Sequence, residues 1–361
     1  MISAIVFDMD GVLIDSEAYT AQAAISYFST IGMKTEPDDF IPFVGAGEDR
    51  YLGGVAEKYS VKIDLEEAKA GTYAIYEKLV TGNIQALPGV VQFLTRAHKA
   101  GIRMAVATSA DKRKMEINLA VMGLNPEWFT ALIHGKNVAR KKPFPDIYLK
   151  ALESLGVESQ ECVVFEDAPN GIQAAKSAQM LCGGITSSFS EEKLHEEGAD
   201  FIISGFDDFD DFSTIEAFNR QLLRFKAREL ATQARMHAYA PYSHFSVGAA
   251  VVSGETAQVY SGCNVENSSY GGTICAERGA ILGAVSQEGD FPIDMVVVVS
   301  DDDPPAPPCA LCLQVIAEFA TEHTMVYLYD TQGRCEQYRF NELLPHPFIF
   351  PTRRPKSTKE S

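Results

Sequence analysis

The sequence has little positive charge, and this limits what the protein can bind. Its 361 residues include 31 Lys and Arg against 49 Asp and Glu, which gives a formal net charge of −18. Neither half of the chain, divided at residue 215, carries an excess of Lys and Arg. Because backbone-driven nucleic-acid binding needs a basic surface, the composition disfavours nucleic acid as a partner and favours small-molecule substrates.

Long apolar runs are missing as well, and no run reaches the length that spans a bilayer. The N-terminus passes almost at once into a strand-like IVF, without the charged and apolar regions of a targeting peptide. We therefore expect no membrane partner and a cytoplasmic location. The seven cysteines are an odd number without regular spacing, which disfavours a disulfide framework.

The length and the 46% hydrophobic composition favour two domains. In the first half, short apolar runs alternate with helix-periodic segments, which is typical of an α/β fold with a doubly wound parallel sheet. The predicted strands are residues 4–8, 102–108, 131–135, 162–167, 180–186 and 200–204. Between the first two of them, about residues 15–86 predict a mostly helical cap inserted into the sheet domain.

The pattern changes after residue 214. A helix-periodic segment covers residues 215–240, and strand-like runs follow at residues 247–253 and 295–300. We predict a first domain over residues 1–213 and a second over residues 216–350. The tail, residues 351–361, is polar and basic and is predicted to be disordered.

Polar residues follow several predicted strands of the first half. In the stretch FDMDG, two carboxylates come directly after the first strand, and other strands or turns are followed by a hydroxyl, a lysine and two more acids. The set comprises Asp8, Asp10, Thr108, Lys142, Glu166 and Asp167. Ligands of open parallel sheets bind beyond the carboxyl ends of the strands, so these groups predict a magnesium and phosphate site. The D-x-D-G stretch alone would also fit a turn with solvated acids.

These four motifs, in this order, resemble those of the haloacid dehalogenase superfamily, in its β-phosphoglucomutase-like branch with a helical cap. The resemblance covers about residues 1–212. It implies that Asp8 is the nucleophile that becomes an aspartyl-phosphate. It further implies that Asp10 is the general acid and base and that its carbonyl also binds Mg²⁺.

The same resemblance assigns the remaining polar residues. It implies that Thr108 and Lys142 hold the transferring phosphoryl group, and that Asp167, with Glu166, completes the magnesium shell. Hydrolysis is the commoner outcome in this superfamily, so we expect a phosphatase rather than a mutase acting on a phosphate ester. The cap is expected to select the substrate, which the sequence does not identify.

Three cysteines of the second half have metal-ligand spacing. The stretch TICAERGAIL places Cys275 two residues before Glu277, and PCALC places Cys309 and Cys312 on one helical face. Three thiolates hold Zn²⁺ and leave its fourth position open to water, as in catalytic zinc sites. Glu277 can then carry the proton, and C-x-E with P-C-x-x-C is a signature of zinc nucleobase deaminases. A closed structural site would need a fourth ligand, for which Cys263 is the nearest candidate.

The second half also resembles the small, homotetrameric cytidine deaminases, in the motifs PYSHFSVGAA, GCNVENSSYG, CAER, PCALC and ELLPHPF. The resemblance implies an α/β/α domain that deaminates cytidine and deoxycytidine hydrolytically, and a tetramer formed through this domain. It implies that Asn264 and Glu266 hold the ribose hydroxyls and that Phe245 packs against the pyrimidine. Tyr270 and Phe348 are implied to complete neighbouring sites across subunit interfaces.

The sequence departs from that family at the second cysteine pair. The family pattern is P-C-G-x-C-R-Q, whereas Ala310 stands here for the glycine and Leu313 for the arginine. Three thiolates give a zinc site a net charge of about −1, which disfavours ionisation of its water, and nearby arginines offset this. Arg278 is still present. We expect zinc binding to be kept and the rate of deamination to be altered.

Together the two halves predict a bifunctional enzyme, with a Mg²⁺-dependent phosphatase followed by a Zn²⁺-dependent cytidine deaminase. The fusion suggests that the two activities are coupled in pyrimidine salvage. One alternative is an unrelated sugar-phosphate phosphatase or phosphoglucomutase-like activity in the first half. In another, the deaminase domain is weak or idle and acts as an oligomerisation scaffold.

Overall fold

The computed structural model describes residues 1–43 and 47–350. It forms two compact units, Met1–Gln221 and a second that begins at Leu222. Helix α9 (Ile215–Arg235) contains this division, and the predicted boundary at residues 213–216 stays a prediction. The tail predicted to be disordered lies outside the described residues. Within the described part of the chain, no helix combines the length and the apolar character needed to cross a bilayer.

The first unit contains a six-stranded sheet in the order β3-β2-β1-β4-β5-β6. Every neighbouring pair is parallel, which confirms the predicted doubly wound α/β fold. The strands are β1 (Ala4–Phe7), β2 (Arg103–Ala107), β3 (Ala131–Ile133), β4 (Cys162–Glu166), β5 (Leu181–Ile185) and β6 (Phe201–Ile203). Each lies inside one of the six predicted runs, because these strands are mostly apolar and, apart from Arg103 and the edge strand β3, largely buried.

Helices occupy the connections of this unit. Three of them, α1 to α3, lie in the insert between β1 and β2 and form the cap, while α4 to α8 flank the sheet. The helices are α1 (Glu17–Thr30), α2 (Glu48–Lys58), α3 (Leu65–Val80), α4 (Val90–Lys99), α5 (Lys112–Val121), α6 (Asp146–Leu155), α7 (Pro169–Ser177) and α8 (Glu191–Glu196). Asp64 caps α3 by accepting from the backbone N–H groups of Glu66 and Glu67, as its position before the helix predicts.

A cluster of phenylalanines is buried in the core of this unit. Phe93 of α4 lies 4.6 Å from Phe206 and 4.8 Å from Phe209, measured between ring centroids, and Phe7 stacks on Phe165 at 5.9 Å. The acidic, strandless segment 205–214 therefore contributes to the core, although its composition resembles a linker. Such aromatic pairs add about 0.5–1.5 kcal/mol each beyond burial alone.

The second unit contains a five-stranded mixed sheet in the order β11-β10-β9-β7-β8. Its β9 and β10 are parallel, and the other neighbouring pairs are antiparallel. The strands are β7 (Gly248–Ser253), β8 (Val259–Cys263), β9 (Ile293–Ser300), β10 (Ala320–Asp330) and β11 (Cys335–Arg339), and the helices after α9 are α10 (Ala276–Glu288), α11 (Ala310–Ala317) and α12 (Phe340–Leu343). Sequence analysis had predicted only β7 and β9.

Helix α10 packs directly on β8, and a glycine makes this approach possible. A Cβ atom at Gly262 would lie 2.4 Å from the backbone nitrogen of Ala280 and 2.9 Å from the carbonyl oxygen of Ala276. No side chain fits at these distances, so any larger residue would push α10 away from the sheet. The position of the first turn of α10 therefore depends on Gly262.

We expect Phe93→Ala to destabilise the first unit by about 3–5 kcal/mol, because it removes a fully buried ring that touches several others. Phe144→Ala is the matched control, since Phe144 is 48% exposed. Denaturant unfolding monitored by circular dichroism measures both variants. Equal losses of stability would show that the phenylalanine cluster does not hold this unit together.

Candidate functional site

The strand order of the first unit brings three of the predicted residues together. Strand β1 lies between β2 and β4, so Asp8, Thr108 and Asp167 follow neighbouring strand ends. The N–H of Asp8 donates to the carbonyl of Phe165, and the N–H of Thr108 donates to that of Ile133, both at 3.0 Å. These hydrogen bonds extend the strand pairing by one residue and thereby fix the backbone positions of Asp8 and Thr108.

Lys142 reaches the same edge from the loop before α6. Its buried ammonium contacts Asp8, lies 2.5 Å from Glu166 and donates to the carbonyl of Ala107 at 3.2 Å. Burial opposes the charged form, but Asp8 and Glu166 outweigh it and raise the pKa of Lys142 above its ordinary value. A permanent positive charge therefore lies beside Asp8.

Glu166 is engaged on both oxygens. One oxygen accepts from Lys142 and from the hydroxyl of Tyr148, each at 2.5 Å. The other accepts from the backbone N–H groups of Asp167 and Ala168, at 3.1 and 3.3 Å. These four bonds occupy the usual acceptor positions of a carboxylate.

The arrangement around Asp8 and Asp167 fits a divalent cation. Oxygens of Asp8, Glu166 and Asp167 lie within 4.8 Å of one another. Burial raises the pKa of Asp8 to about 7, and burial with the neighbouring carboxylates raises the pKa of Asp167 well above its ordinary value. A cation with oxygen ligands would relieve this excess of negative charge.

A glycine is required where the chain passes Asp167. Gly11 has a φ of +81°, and a Cβ atom there would lie 1.9 Å from an Asp167 oxygen. The D-x-D-G motif therefore ends in glycine for two reasons, a left-handed backbone and a close carboxylate.

Asp10 lies apart from that oxygen cluster. Its carboxylate accepts from the hydroxyl of Ser16, forms an ion pair with Lys114 at 3.0 Å and contacts the amide of Asn118 at 3.5 Å. The sequence motifs of the site include neither Lys114 nor Tyr148, which the structure places there. A usable signal existed for the first of these, because Lys114 and Asn118 are polar residues four apart on the buried face of α5.

A cavity of about 500 Å³ opens above this site between the cap and the sheet. All six predicted polar residues line it, as do the cap residues Phe40, Ile41, Phe43, Glu48 and Tyr51. The predicted residues of the first half are thus brought to one open cavity, which has the size of an ordinary small-molecule site.

In the second unit, the three predicted thiols converge. The sulfur of Cys309 lies 3.8 Å from that of Cys275 and 3.6 Å from that of Cys312. Tetrahedral zinc with Zn–S bonds of about 2.3 Å places neighbouring sulfurs about 3.8 Å apart. The three thiols therefore have the spacing of a zinc site. Cys263, the alternative fourth ligand, is not part of this group among the residues described.

Charged residues of α10 surround these sulfurs. Cys312 donates to a carboxylate oxygen of Glu277 at 3.4 Å, and burial raises the pKa of Glu277 above its ordinary value. Arg278 donates to the carbonyl of Thr273 at 2.7 Å and to Cys275 at 3.6 Å. Both predicted partners of the zinc site are therefore in place.

The thiols share protons unequally. The neighbouring thiol of Cys312 and the guanidinium of Arg278 lower the pKa of Cys275 to about 5, against the effect of burial. The proximity of Cys275, together with burial, raises the pKa of Cys312. Cys275, at the N-terminus of α10, thus ionises more readily than Cys312.

Leu313, which stands where the family pattern has an arginine, is a partly buried apolar side chain. It packs against the apolar core of the second unit, with residues such as Ile281 and Ile316. The carbon side chain is thus accommodated by packing, and Arg278 is left to donate to the thiols.

Asn264 and Glu266 organise the loop before β7. The amide of Asn264 accepts from the N–H of Val247 and donates to the carbonyl of Phe245, both at 2.8 Å. Glu266 accepts from the N–H groups of Tyr242 and Ser243, at 2.8 and 3.2 Å. Both side chains thus bind the loop that holds Phe245.

Tyr270 and Phe348 are 78% and 68% exposed, whereas Phe245 is half-buried. The backbone of Phe348 is held by two hydrogen bonds to the side chain of Gln314 in α11, at 2.8 and 3.0 Å. Both aromatic rings therefore lie at the surface of the unit. The backbone of Phe348 is anchored to α11, the helix that contains Cys312.

Comparison with known proteins follows this division. The sequence model of the haloacid dehalogenase-like hydrolases matches residues 2–179, and that of the cytidine and deoxycytidylate deaminase zinc-binding region matches residues 224–328. A cytidine deaminase of Halalkalibacterium halodurans is 47% identical over 118 residues, covering 33% of this chain and 88% of that protein. A phosphorylated carbohydrates phosphatase of Thermotoga maritima is 32% identical over 198 residues, covering 54% and 91%. The chain belongs to both families.

It is therefore an enzyme with a haloacid dehalogenase-like phosphatase domain and a zinc-binding cytidine deaminase domain. Protein SUPPRESSOR OF QUENCHING 1, chloroplastic, of Arabidopsis thaliana is 40% identical over 204 residues, but the chain spans only 19% of its length. A mutant of CbbY from Rhodobacter sphaeroides, solved in complex with xylulose-1,5-bisphosphate, has a TM-score of 0.53 at 27% identity. The match covers 60% of this chain and 99% of that one.

Replacing Cys275, Cys309 or Cys312 by serine should lower the zinc content of the purified protein, because each removes one of three ligands. Cys335→Ser is the matched control, since Cys335 is exposed and lies outside the cluster. Elemental analysis per chain measures the result. Full zinc occupancy in all three cluster variants would contradict the assignment.

Proposed function

We propose that the phosphatase domain hydrolyses a phosphate monoester through a covalent aspartyl-phosphate on Asp8. The contact of Lys142 with both Asp8 and Glu166 carries this proposal, since it holds a buried cation where a phosphoryl group would meet Asp8. A carboxylate of Asp8 attacks phosphorus, and the ester oxygen leaves. Water then attacks the phosphoryl group of the aspartyl-phosphate, inorganic phosphate leaves, and the carboxylate of Asp8 is regenerated.

The neighbouring residues have separate roles in this proposal. Asp10 protonates the leaving oxygen and later takes a proton from the attacking water, held in place by Ser16 and Lys114. Lys142 and the hydroxyl of Thr108 bind the phosphoryl oxygens.

Asp8 and Asp167, with the carbonyl of Asp10, would hold Mg²⁺, which supplies charge neutralisation when bound. Glu166 belongs to the same oxygen cluster, but its four hydrogen bonds favour the role of orienting Lys142.

For the second domain we propose hydrolytic deamination of cytidine and deoxycytidine. Cys275, Cys309 and Cys312 would hold Zn²⁺, which supplies a Lewis acid that activates water when bound. Glu277 lies against Cys312 and moves protons from the water to the pyrimidine ring and the leaving amine. The pyrimidine base of the substrate would pack against the ring of Phe245.

Two further residue roles are proposed from the resemblance. Asn264 and Glu266 would bind the ribose hydroxyls, while their present hydrogen bonds hold the loop around Phe245. The exposed rings of Tyr270 and Phe348 would complete the sites of neighbouring subunits in a homotetramer. Exposed aromatic residues of this size are typical of association surfaces.

The fusion supports a coupled reaction, in which CMP or dCMP loses phosphate and the nucleoside is then deaminated. The alternative is that the deaminase domain acts as an oligomerisation scaffold. Intact contacts of Glu277 and Arg278 with the cysteines favour an active site, because a scaffold would not require them.

Asp8→Asn should abolish phosphate release and keep deamination of added cytidine. The amide is nearly isosteric but cannot form the acyl-phosphate. Phosphate and ammonia are measured together in the presence of Mg²⁺. In a coupled enzyme, wild type would release both products from CMP, and the variant would release ammonia only from the free nucleoside. Undiminished phosphate release by the variant would refute Asp8 as nucleophile.

Glu277→Gln should lower cytidine turnover by about 10²–10⁴-fold, since the amide cannot carry the proton. Zinc content and phosphatase activity are the controls, because neither requires the carboxylate. Ammonia release at saturating cytidine measures the effect. A variant that turns over at the wild-type rate with zinc bound would remove Glu277 from the mechanism.

A further inference from the structure

The cavity of the phosphatase domain is lined by many more acids than bases. Six carboxylates and two lysines line it among the described residues, and no arginine or histidine does. The acids are Asp8, Asp10, Glu17, Glu48, Glu166 and Asp167, and the bases are Lys114 and Lys142. A substrate that enters this cavity therefore meets a strongly negative field.

Neither lysine is available for a second anionic group. Lys142 contacts Asp8 and Glu166 at the position proposed for the reacting phosphate. Lys114 forms an ion pair with Asp10 at 3.0 Å, and Glu48 also adds to the negative charge around it. Lys141 is a further cation near the cavity, because its ammonium lies 1.9 Å from where a Cβ atom of the lining residue Gly47 would be. A second phosphate would therefore meet one additional lysine against several carboxylates, and burying it there is costly.

Two cationic side chains of the cap, Arg50 and Lys58, form ion pairs outside the lining of the cavity. Arg50 pairs with Glu57 at 2.8 Å and lies over the ring of Phe43 at 5.2 Å. Lys58 pairs with Asp39 at 2.5 Å. Neither Arg50 nor Lys58 is among the described residues that line the cavity.

The cavity also has an aromatic and apolar part of its lining, which we call its aromatic wall. Phe40, Phe43 and Tyr51 line it from the cap, together with Ile41, and Phe189 lines it from the loop after β5. The rings of Phe40 and Tyr51 lie 5.0 Å apart. Burial raises the pKa of Tyr51 to about 12, so its hydroxyl stays neutral. This wall suits a flat, uncharged group.

We propose that this cavity selects a nucleoside monophosphate, with the base against Tyr51 and its aromatic neighbours, and excludes substrates that carry a second phosphate. The inference rests on the proposed phosphatase chemistry at Asp8, but it does not require the coupled reaction. Ribose hydroxyls can donate to the carboxylates that would repel a second phosphate. The deaminase domain of the same chain belongs to a nucleoside-processing family, which favours a nucleoside over other ring-bearing groups.

Two matched pairs of substrates test this selection with the full-length protein and Mg²⁺. CMP against ribose 5-phosphate isolates the base, and fructose 6-phosphate against fructose 1,6-bisphosphate isolates a second phosphate. We expect kcat/KM to be about 5- to 100-fold higher for CMP than for ribose 5-phosphate, the range of base stacking on an aromatic ring. We expect the bisphosphate to be the poorer member of its pair.

Variants of the cap residues Tyr51 and Ile41 distinguish a loss of substrate selection from a general loss of phosphatase activity. Tyr51→Ala should lower the ratio of kcat/KM for CMP to that for acetyl phosphate by about 5- to 100-fold, whereas Tyr51→Phe should retain it. Ile41 is 65% exposed, so a longer side chain can be placed there. Ile41→Arg should raise kcat/KM for fructose 1,6-bisphosphate relative to fructose 6-phosphate, and Ile41→Gln should not.

The outcomes are distinguishable. Preference for CMP with loss of that preference in Tyr51→Ala supports the proposal. Preference for the bisphosphate, or an unchanged CMP ratio in Tyr51→Ala, overturns it while leaving the phosphatase in place. No phosphate release from any of the phosphate esters or from acetyl phosphate overturns the phosphatase and the selection together.

Discussion

The pairing of β1 with both β2 and β4 is the constraint on which the phosphatase site depends. Parallel strands end at one edge of the sheet, so residues about 100 and 160 positions along the chain meet Asp8 there. The phenylalanines on these strands, such as Phe7 and Phe165, hold the pairing in place. Core packing and the position of the chemistry are thus decided by the same three strands.

Burial of charge then determines what the site can hold. Carboxylates of Asp8, Glu166 and Asp167 lie close together with Lys142 as their near cation, so the site retains an excess of negative charge. A divalent cation would balance this excess, whereas each phosphate group adds negative charge again. In our proposal, the acidic cavity therefore selects the substrate as well as holding the metal.

The second domain depends on a different constraint. Its three thiols lie at the starts of α10 and α11, so these two helix starts must meet. Gly262 allows α10 to lie against β8, and this places Cys275 and Glu277 beside Cys309 and Cys312. Leu313 takes its place in the core, so the positive charge near the sulfurs comes from Arg278. The proposed deaminase site thus keeps Glu277 as its proton carrier, but it has Leu313 where the family pattern has an arginine.

The sequence alone determined the six buried strands of the first sheet and the chemistry-bearing motifs, because continuous apolar runs and short cysteine spacings are local signals. It did not reveal β8 and β11, whose edge positions leave them half-exposed, or β10, which begins with polar residues. Only the tertiary structure decided which residues became partners. Lys114 and Tyr148 contact Asp10 and Glu166 across the fold, and the aromatic wall of the cavity comes from a distant insert, since long-range packing leaves no periodic trace in the chain.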